Sequence, residues 1–193
     1  MNIRLNDCPP KRILIINRGE IASRIAKACR ELGHTAVGVW TNNEPNAAHL
    51  EFCDEWVHLD GNENSETYLN TENIIQVIKE NQIDGVHPGY GFLSENGDFA
   101  EALDKLGVVF IGPNTHAIKV MGDKATSKQL AKEVGVPVVP GSAKAVETVE
   151  EALKIADEIG YPVLLKAVAG GGGRGMRACD SADDVKKQFP VVG

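Results

Sequence analysis

The sequence predicts an α/β fold, an open doubly wound parallel sheet followed by the start of a second domain. Three observations predict it. Short runs of branched apolar residues recur between Arg12 and Gly112, each with the pattern of a strand buried on both faces. Segments with apolar residues at helical spacing separate them. A breaker-rich stretch, "GVPVVPG" at 135–141, then divides this alternation from a strand, glycine loop and strand near the end.

Each element has its own justification. "RILIIN" (12–17) is the first buried strand, and it leads through Arg18 and Gly19 into a helix. There Ile21, Ile25, Ala28, Cys29 and Leu32 share one face, and Gly33 suits the stop. "TAVGVW" (35–40) is the next strand, so the first forty residues form a β-α-β unit with a right-handed crossover. Ile74, Ile75 and Ile78 mark a helix, "IDGV" (83–86) a strand, and Phe99, Ala102, Leu103 and Leu106 another helix. "VVFIG" (108–112) closes the unit near Gly112-Pro113. Helical segments follow at 117–121 and 124–134. After the hinge, Thr148-x-x-Glu151 has capping-box spacing and opens a helix with Val149, Ala152, Leu153, Ala156 and Ile159 on its apolar face. "YPVLLKAV" (161–168) reads as a strand, "MRAC" (176–179) as its antiparallel partner, and Ser181-x-x-Asp184 as the start of a last helix reaching Phe189-Pro190.

Composition excludes several classes of function. Of 193 residues, 42% are hydrophobic and 24% charged, ordinary globular usage. A formal charge of -7 argues against general DNA or RNA binding, and 5% aromatic residues against stacking platforms for single strands. It leaves room for a local basic pocket holding a phosphorylated small molecule. No apolar run approaches the length of a membrane span, and "MNIRLNDCPPKR" lacks a signal-peptide core. Cys8, Cys29, Cys53 and Cys179 form no CxxC pair, and we read them as reduced thiols of a cytoplasmic protein.

Four segments carry chemistry. "NRGEIASR" sits where a dinucleotide-binding protein has its phosphate loop, but it lacks G-x-G-x-x-G. Glu20 in the first helical turn would repel a phosphate, so the reading is a structural turn, with Glu20 favourable to the helix dipole. "HPGYGFLSEN" (87–96) follows a strand end and combines turn residues with His87, Tyr90, Ser94 and Glu95. It reads as a ligand loop, with the lead-in to a helix as the alternative. "KAVAGGGGRGMR" (166–177) lets successive backbone N–H groups converge on an anion, and it is no Walker A motif because no Lys-Ser/Thr ends it. Its alternatives are a lid over phosphates and a floppy hairpin. Lys166 within "VLLKAV" is expected to be buried and to require an anionic partner, an edge-strand lysine facing solvent being the alternative. Lys124 in "MGDKATSK" opens a helix, a poor place for a cation unless it has another task.

"NRGEIASRI", "HPGYGFLSEN", "FIGP", "MGDK", "GVPVVPGS", "GYPVLLKA" and "GGGGRGMR", in this order and spacing, closely resemble the biotin carboxylase family. That family includes the carboxylase component of acetyl-CoA, propionyl-CoA and pyruvate carboxylases. The resemblance runs from about Lys11 to about Asp184. It implies a Rossmann-like pre-ATP-grasp domain at 1–115, a helical linker at 116–141 and the incomplete start of an ATP-grasp domain at 142–193. It implies an ATP-dependent ligase that phosphorylates bicarbonate to carboxyphosphate and passes the carbon to N1 of biotin on a carrier protein. Lys124 and Lys166 match the family's two ATP-contacting lysines. Gly170, Gly171, Gly172, Gly173, Arg174, Gly175 and Met176 match its mobile phosphate lid. The segment from His87 to Glu95 matches a loop on the active-site side, with no definite catalytic role assigned.

The resemblance further implies a biotin carboxyl carrier protein or domain and a carboxyltransferase as partners. A homodimer is implied near the helix holding Arg24 and Glu31, positions that a surface salt-bridging face explains equally well. No nucleic acid or membrane is expected as a partner, and the compartment is cytoplasmic, or mitochondrial in a eukaryote. Family members continue well past the equivalent of Gly193, and the Mg²⁺ or Mn²⁺ ligands, the adenine pocket and the catalytic base and arginine are expected there. The expectation is therefore an N-terminal fragment, inactive alone. The rivals are a non-catalytic dimerisation or assembly module and a nicotinamide-dependent oxidoreductase, the latter disfavoured by the absent glycine fingerprint.

Overall fold

The computed structural model describes residues 11–142, 145–167 and 175–192, with the side chains of Lys124 and Ala125 left aside. They form two compact units, Met1–Gly122 and Asp123–Gly193.

In the first unit, β1 (Arg12–Ile15), β2 (Thr35–Thr41), β3 (Glu55–Leu59), β4 (Gly85–His87) and β5 (Val109–Phe110) form one sheet. Their order is β3-β2-β1-β4-β5, and every pair is parallel. The central register sets Leu14 against Val37 on one side and Val86 on the other. Alternate residues of β1 and its continuation enter different cores. Leu14 and Ile16 join Val37, Val39, Ile74, Phe99 and Leu103 on one face of the sheet. Ile13 and Ile15 join Ala22, Ile25, Ala26 and Ala36 on the other. This is why a continuous apolar run, rather than an alternating one, makes the central strand.

The helices are α1 (Gly19–Glu31), α2 (Thr71–Glu80), α3 (Gly97–Leu106) and α4 (Thr115–Gly122). Asn70 and Asn96 cap α2 and α3, each side chain accepting from the backbone N–H three residues on. Gly107 ends α3 in the left-handed conformation, φ +71°, a position that favours glycine. The segment expected as a linker is helical in α4 and again in α5 (Lys124–Glu133), with the division between units falling inside it.

β3 is not legible in the sequence. Its residues, EWVHL, interrupt the apolar run with Glu55 and His58, because an edge strand needs only part of its length buried. Trp56 is 58% exposed there. A bidentate pair, Arg12 Nη1 and Nη2 to the two Glu55 oxygens at 2.7 and 2.9 Å, fastens β3 at its start.

In the second unit, α6 (Val149–Ile159) and α7 (Ala182–Val192) accompany an antiparallel hairpin of β6 (Val163–Lys166) and β7 (Met176–Cys179). Thr148 caps α6 through the Glu151 N–H at 3.2 Å, and Glu151 accepts in return from the Glu147 N–H at 3.3 Å. This realises the expected box with its return bond one residue earlier. Ala152, Ala156, Cys179 and Val185 form this unit's buried core, with Val163 and Leu165 packed against it.

Candidate functional site

The hairpin separates its side chains cleanly. Val163, Leu165 and Cys179 turn toward α6 and α7, whereas Leu164, Lys166, Met176 and Ala178 are exposed. The register sets Leu164 opposite Ala178, and Lys166 opposite Met176. Successive strand residues point to opposite faces, so one open face carries an apolar shelf ending in an ammonium group. Leu164 is 49% exposed and Met176 37%. Among the described residues, Lys166 has no ion-pair partner.

The expected burial of Lys166 is therefore corrected. "VLLKAV" has the composition of a strand buried on both faces, but β6 belongs to a two-stranded hairpin whose helices cover one face only. Lys166 falls on the uncovered face. An exposed cation beside exposed apolar groups suits a ligand with a flat apolar part and an anionic part.

Gly175 and Met176 stand beside Lys166 as the sequence suggested. The Ala167 N–H donates to the Gly175 carbonyl at 3.0 Å, continuing the hairpin toward its tip. Gly175 has φ +73°, and a Cβ there would lie 2.8 Å from the Ala167 Cβ, so no larger residue fits without displacement. Lys124 is the first residue of α5, where Asp123 caps the helix by accepting from the Thr126 N–H at 2.7 Å. The negative cap answers the helix dipole that Lys124 opposes. Gly170, Gly171, Gly172, Gly173 and Arg174 lie outside the described residues, as does Cys8. Leu164 shares the open face with Lys166, a neighbour that its spacing of two made available in the sequence.

The first unit holds another polar constellation, at the C-terminal ends of β1 and β4. Asn17, only 3% exposed, donates from Nδ2 to the carbonyls of Pro88 at 2.7 Å and Tyr90 at 2.8 Å. Its Oδ1 accepts from the Arg18 N–H at 2.9 Å. The Tyr90 hydroxyl donates to Glu20 Oε1 at 2.6 Å, and this contact holds the Tyr90 hydroxyl above its ordinary pKa. Arg18 pairs with Glu44 at 2.6 Å, and its guanidinium lies 5.7 Å from the ring centroids of both Tyr68 and Phe92. His87 is part-buried, and desolvation pushes its pKa down. The "NRGE" turn and the "HPGYG" loop, read separately in the sequence, are thus one structure. Asn17 gave no signal of its own, since a strand-terminal Asn is common in turns.

Three cysteines, Cys29, Cys53 and Cys179, are free and buried. Burial raises all three thiols, Cys53 to about 11, which keeps them protonated and unreactive. Among the described residues, no group of three or more His, Cys, Asp or Glu could hold a metal ion, and no helix is long and apolar enough to cross a membrane.

Comparison with known proteins agrees across the two units. Residues 9–118 match the family model "Biotin carboxylase, N-terminal domain". Residues 123–191 match "Carbamoyl-phosphate synthase L chain, ATP binding domain". Biotin carboxylase 1 of Bacillus subtilis is 47% identical over 175 residues, 91% of this chain and 39% of that protein. The 2-oxoglutarate carboxylase small subunit of Hydrogenobacter thermophilus is 48% identical over 179 residues, 93% of this chain and 38% of its own. The solved biotin carboxylase domain dimer of the Hydrogenobacter enzyme, with MgADP, ADP and bicarbonate, superposes with a TM-score of 0.88 at 47% identity, covering 94% of this chain and 40% of that one. A biotin carboxylase–β,γ-ATP complex from Campylobacter jejuni gives 0.89 at 43%, covering 95% and 41%. The chain thus spans about two-fifths of the length of these relatives.

Proposed function

The chain belongs to the biotin carboxylase family, and from that premise we propose that it supplies the N-terminal domain and the first part of the ATP grip of an ATP-dependent carboxylase. The observation that carries the reading is the open face of the β6–β7 hairpin, with Leu164, Lys166 and Met176 side by side. The apolar shelf suits the flat part of a nucleotide, and the Lys166 ammonium suits its phosphates. Two solved relatives are complexes with ADP or with β,γ-ATP.

In the proposed reaction a bicarbonate oxygen attacks the γ-phosphorus of ATP, the bond to the β-phosphate oxygen breaks, and ADP departs. Both reactants are anions. Lys166 therefore lowers the repulsion between them and stabilises charge on the transferring group. The glycines at 170–173 with Arg174, and Lys124, join this grip on the strength of sequence: consecutive glycine N–H groups converge on phosphate oxygens at no steric cost. The carboxyphosphate so formed passes its CO₂ to N1 of carrier-bound biotin: its C–O bond to the phosphate breaks, and inorganic phosphate leaves with the N1 proton. A divalent ion would neutralise phosphate charge when bound. The described residues offer no ligand set for it.

A homodimer through α1 fits the same reading. Arg24 and Glu31 line a groove of about 1110 Å³ beside α1, and the solved Hydrogenobacter domain is a dimer. A carrier protein and a carboxyltransferase are the further partners. The buried, protonated thiols support a reducing, cytoplasmic setting.

The test is assay of the full-length carboxylase, and separately of residues 1–193, with radiolabelled bicarbonate, ATP and free biotin. Labelled carboxybiotin is expected from the full-length protein and none from residues 1–193. A full-length protein that binds no ATP would overturn the reading; carboxybiotin formed by residues 1–193 would overturn the claim that this part is inactive alone.

A further inference from the structure

The sheet order reverses between β1 and β4, where open α/β sheets leave a crevice for ligands at the strand ends. The two loops that meet there are tied together by one buried amide. Pro88 is buried and Tyr90 exposed, and Asn17 commits its Nδ2 group to the carbonyls of both and its oxygen to the Arg18 N–H. Gly89 takes φ +65°, and a Cβ there would lie 2.7 Å from Asn17 Nδ2, so the loop closes on the amide with no space left. The Gly89 N–H donates in turn to His87 Nδ1 at 3.1 Å. The Tyr90 ring is not buried for stability. It stays 61% exposed, and the Glu20 carboxylate fixes its hydroxyl at 2.6 Å.

We infer that Asn17 and Glu20 are positioning residues for turnover, Asn17 holding the 88–90 backbone and Glu20 the Tyr90 side chain at the ligand end of the sheet. This rests on the carboxylase reading above. A carboxylate at this end repels phosphate, so the pair acts on the rate of carboxylation and leaves the grip on ATP alone.

The experiment uses the full-length carboxylase. Asn17→Asp is isosteric and keeps the acceptor for Arg18, but it turns an oxygen toward two carbonyls. It should lower kcat by on the order of 10- to 100-fold, the range expected when a reacting geometry shifts by about 1 Å. Glu20→Ala should lower kcat less, by about tenfold, and Glu20→Gln should restore it because an amide oxygen still accepts from the Tyr90 hydroxyl. The KM for ATP should stay within about twofold throughout. Normal kcat in Asn17→Asp and Glu20→Ala overturns the inference, as does an equal loss in Glu20→Gln or a KM for ATP that rises in step with the loss of kcat. If Asn17→Asp does not fold, the two Glu20 variants decide. ATP titration of the wild type separates the two claims: no binding removes the carboxylase reading and this inference with it, whereas binding with normal turnover in the variants removes the inference alone.

Discussion

As sequence, the central strand of the first unit resembles the leading strand of the hairpin in the other unit; as structure, the two differ. "RILII" and "VLLKAV" are both short apolar runs beside a glycine. β1 has a parallel neighbour on each side and a packed core on each face, with Leu14, Ile15 and Ile16 fully buried. β6 has one antiparallel neighbour and helices on one face, and it leaves Leu164 and Lys166 outside. Apolar character therefore marks packing in the first case and an uncovered face in the other. The number of neighbouring strands decides which.

The sharpest way to break this comparison is to remove a large side chain from each region. Phe99 is fully buried and meets Phe110 edge-to-face at 6.4 Å between centroids. Phe99→Ala should cost about 3–5 kcal/mol, the range for emptying an aromatic core site. Both tryptophans, Trp40 and Trp56, lie in the first unit, so their fluorescence in urea reports its unfolding. Leu164→Ala, by contrast, should change stability by less than about 0.5 kcal/mol in calorimetry, as an exposed site does. Similar losses at the two positions would mean that the outer face of the hairpin is a structural surface.

How much was legible follows the same division. β1, α1, β2, α2, β4, α3 and β5 were readable because short branched apolar runs mark the strands and apolar residues at helical spacing mark the helices between them. β3 was not, because an edge strand tolerates Glu55 and His58. The identity of Lys166, Gly175 and Met176 as neighbours was readable from the hairpin pattern, but the exposure of Lys166 was not, since no local residue reports how many strands a sheet will have. Asn17 escaped because its partners lie 71 and 73 residues away. Contacts at that separation leave no periodic trace in one sequence.

Lys166→Ala in the full-length carboxylase sharpens the functional half of the comparison. In the proposed role, loss of the Lys166 charge should lower ATP-dependent turnover by about 100-fold, the scale seen when a single stabilising donor is removed. The melting temperature should not move, because Lys166 is exposed and has no ion-pair partner among the described residues. Unchanged turnover would remove Lys166 from the site. A lower melting temperature would assign it to the fold.

The smallest expected effect concerns pH, and it belongs to the first unit alone. Desolvation holds His87 below its ordinary pKa of 6.5. Its Nδ1 accepts the Gly89 N–H at 3.1 Å, a bond that the protonated ring cannot accept. The unfolded chain therefore takes up this proton at higher pH than the folded one, and stability rises with pH between the two values. The contribution is present above about pH 6.5 and is lost as pH falls through the lower folded value. Urea unfolding followed by tryptophan fluorescence from pH 7.5 down to about pH 5 should show that loss. His87→Asn supplies a non-titrating oxygen for the same N–H and should flatten the profile. Equal slopes in the two proteins would mean that His87 is already solvated in the folded state, and that the strand ends where the "NRGE" turn meets the "HPGYG" loop are as open to water as the face that carries Lys166.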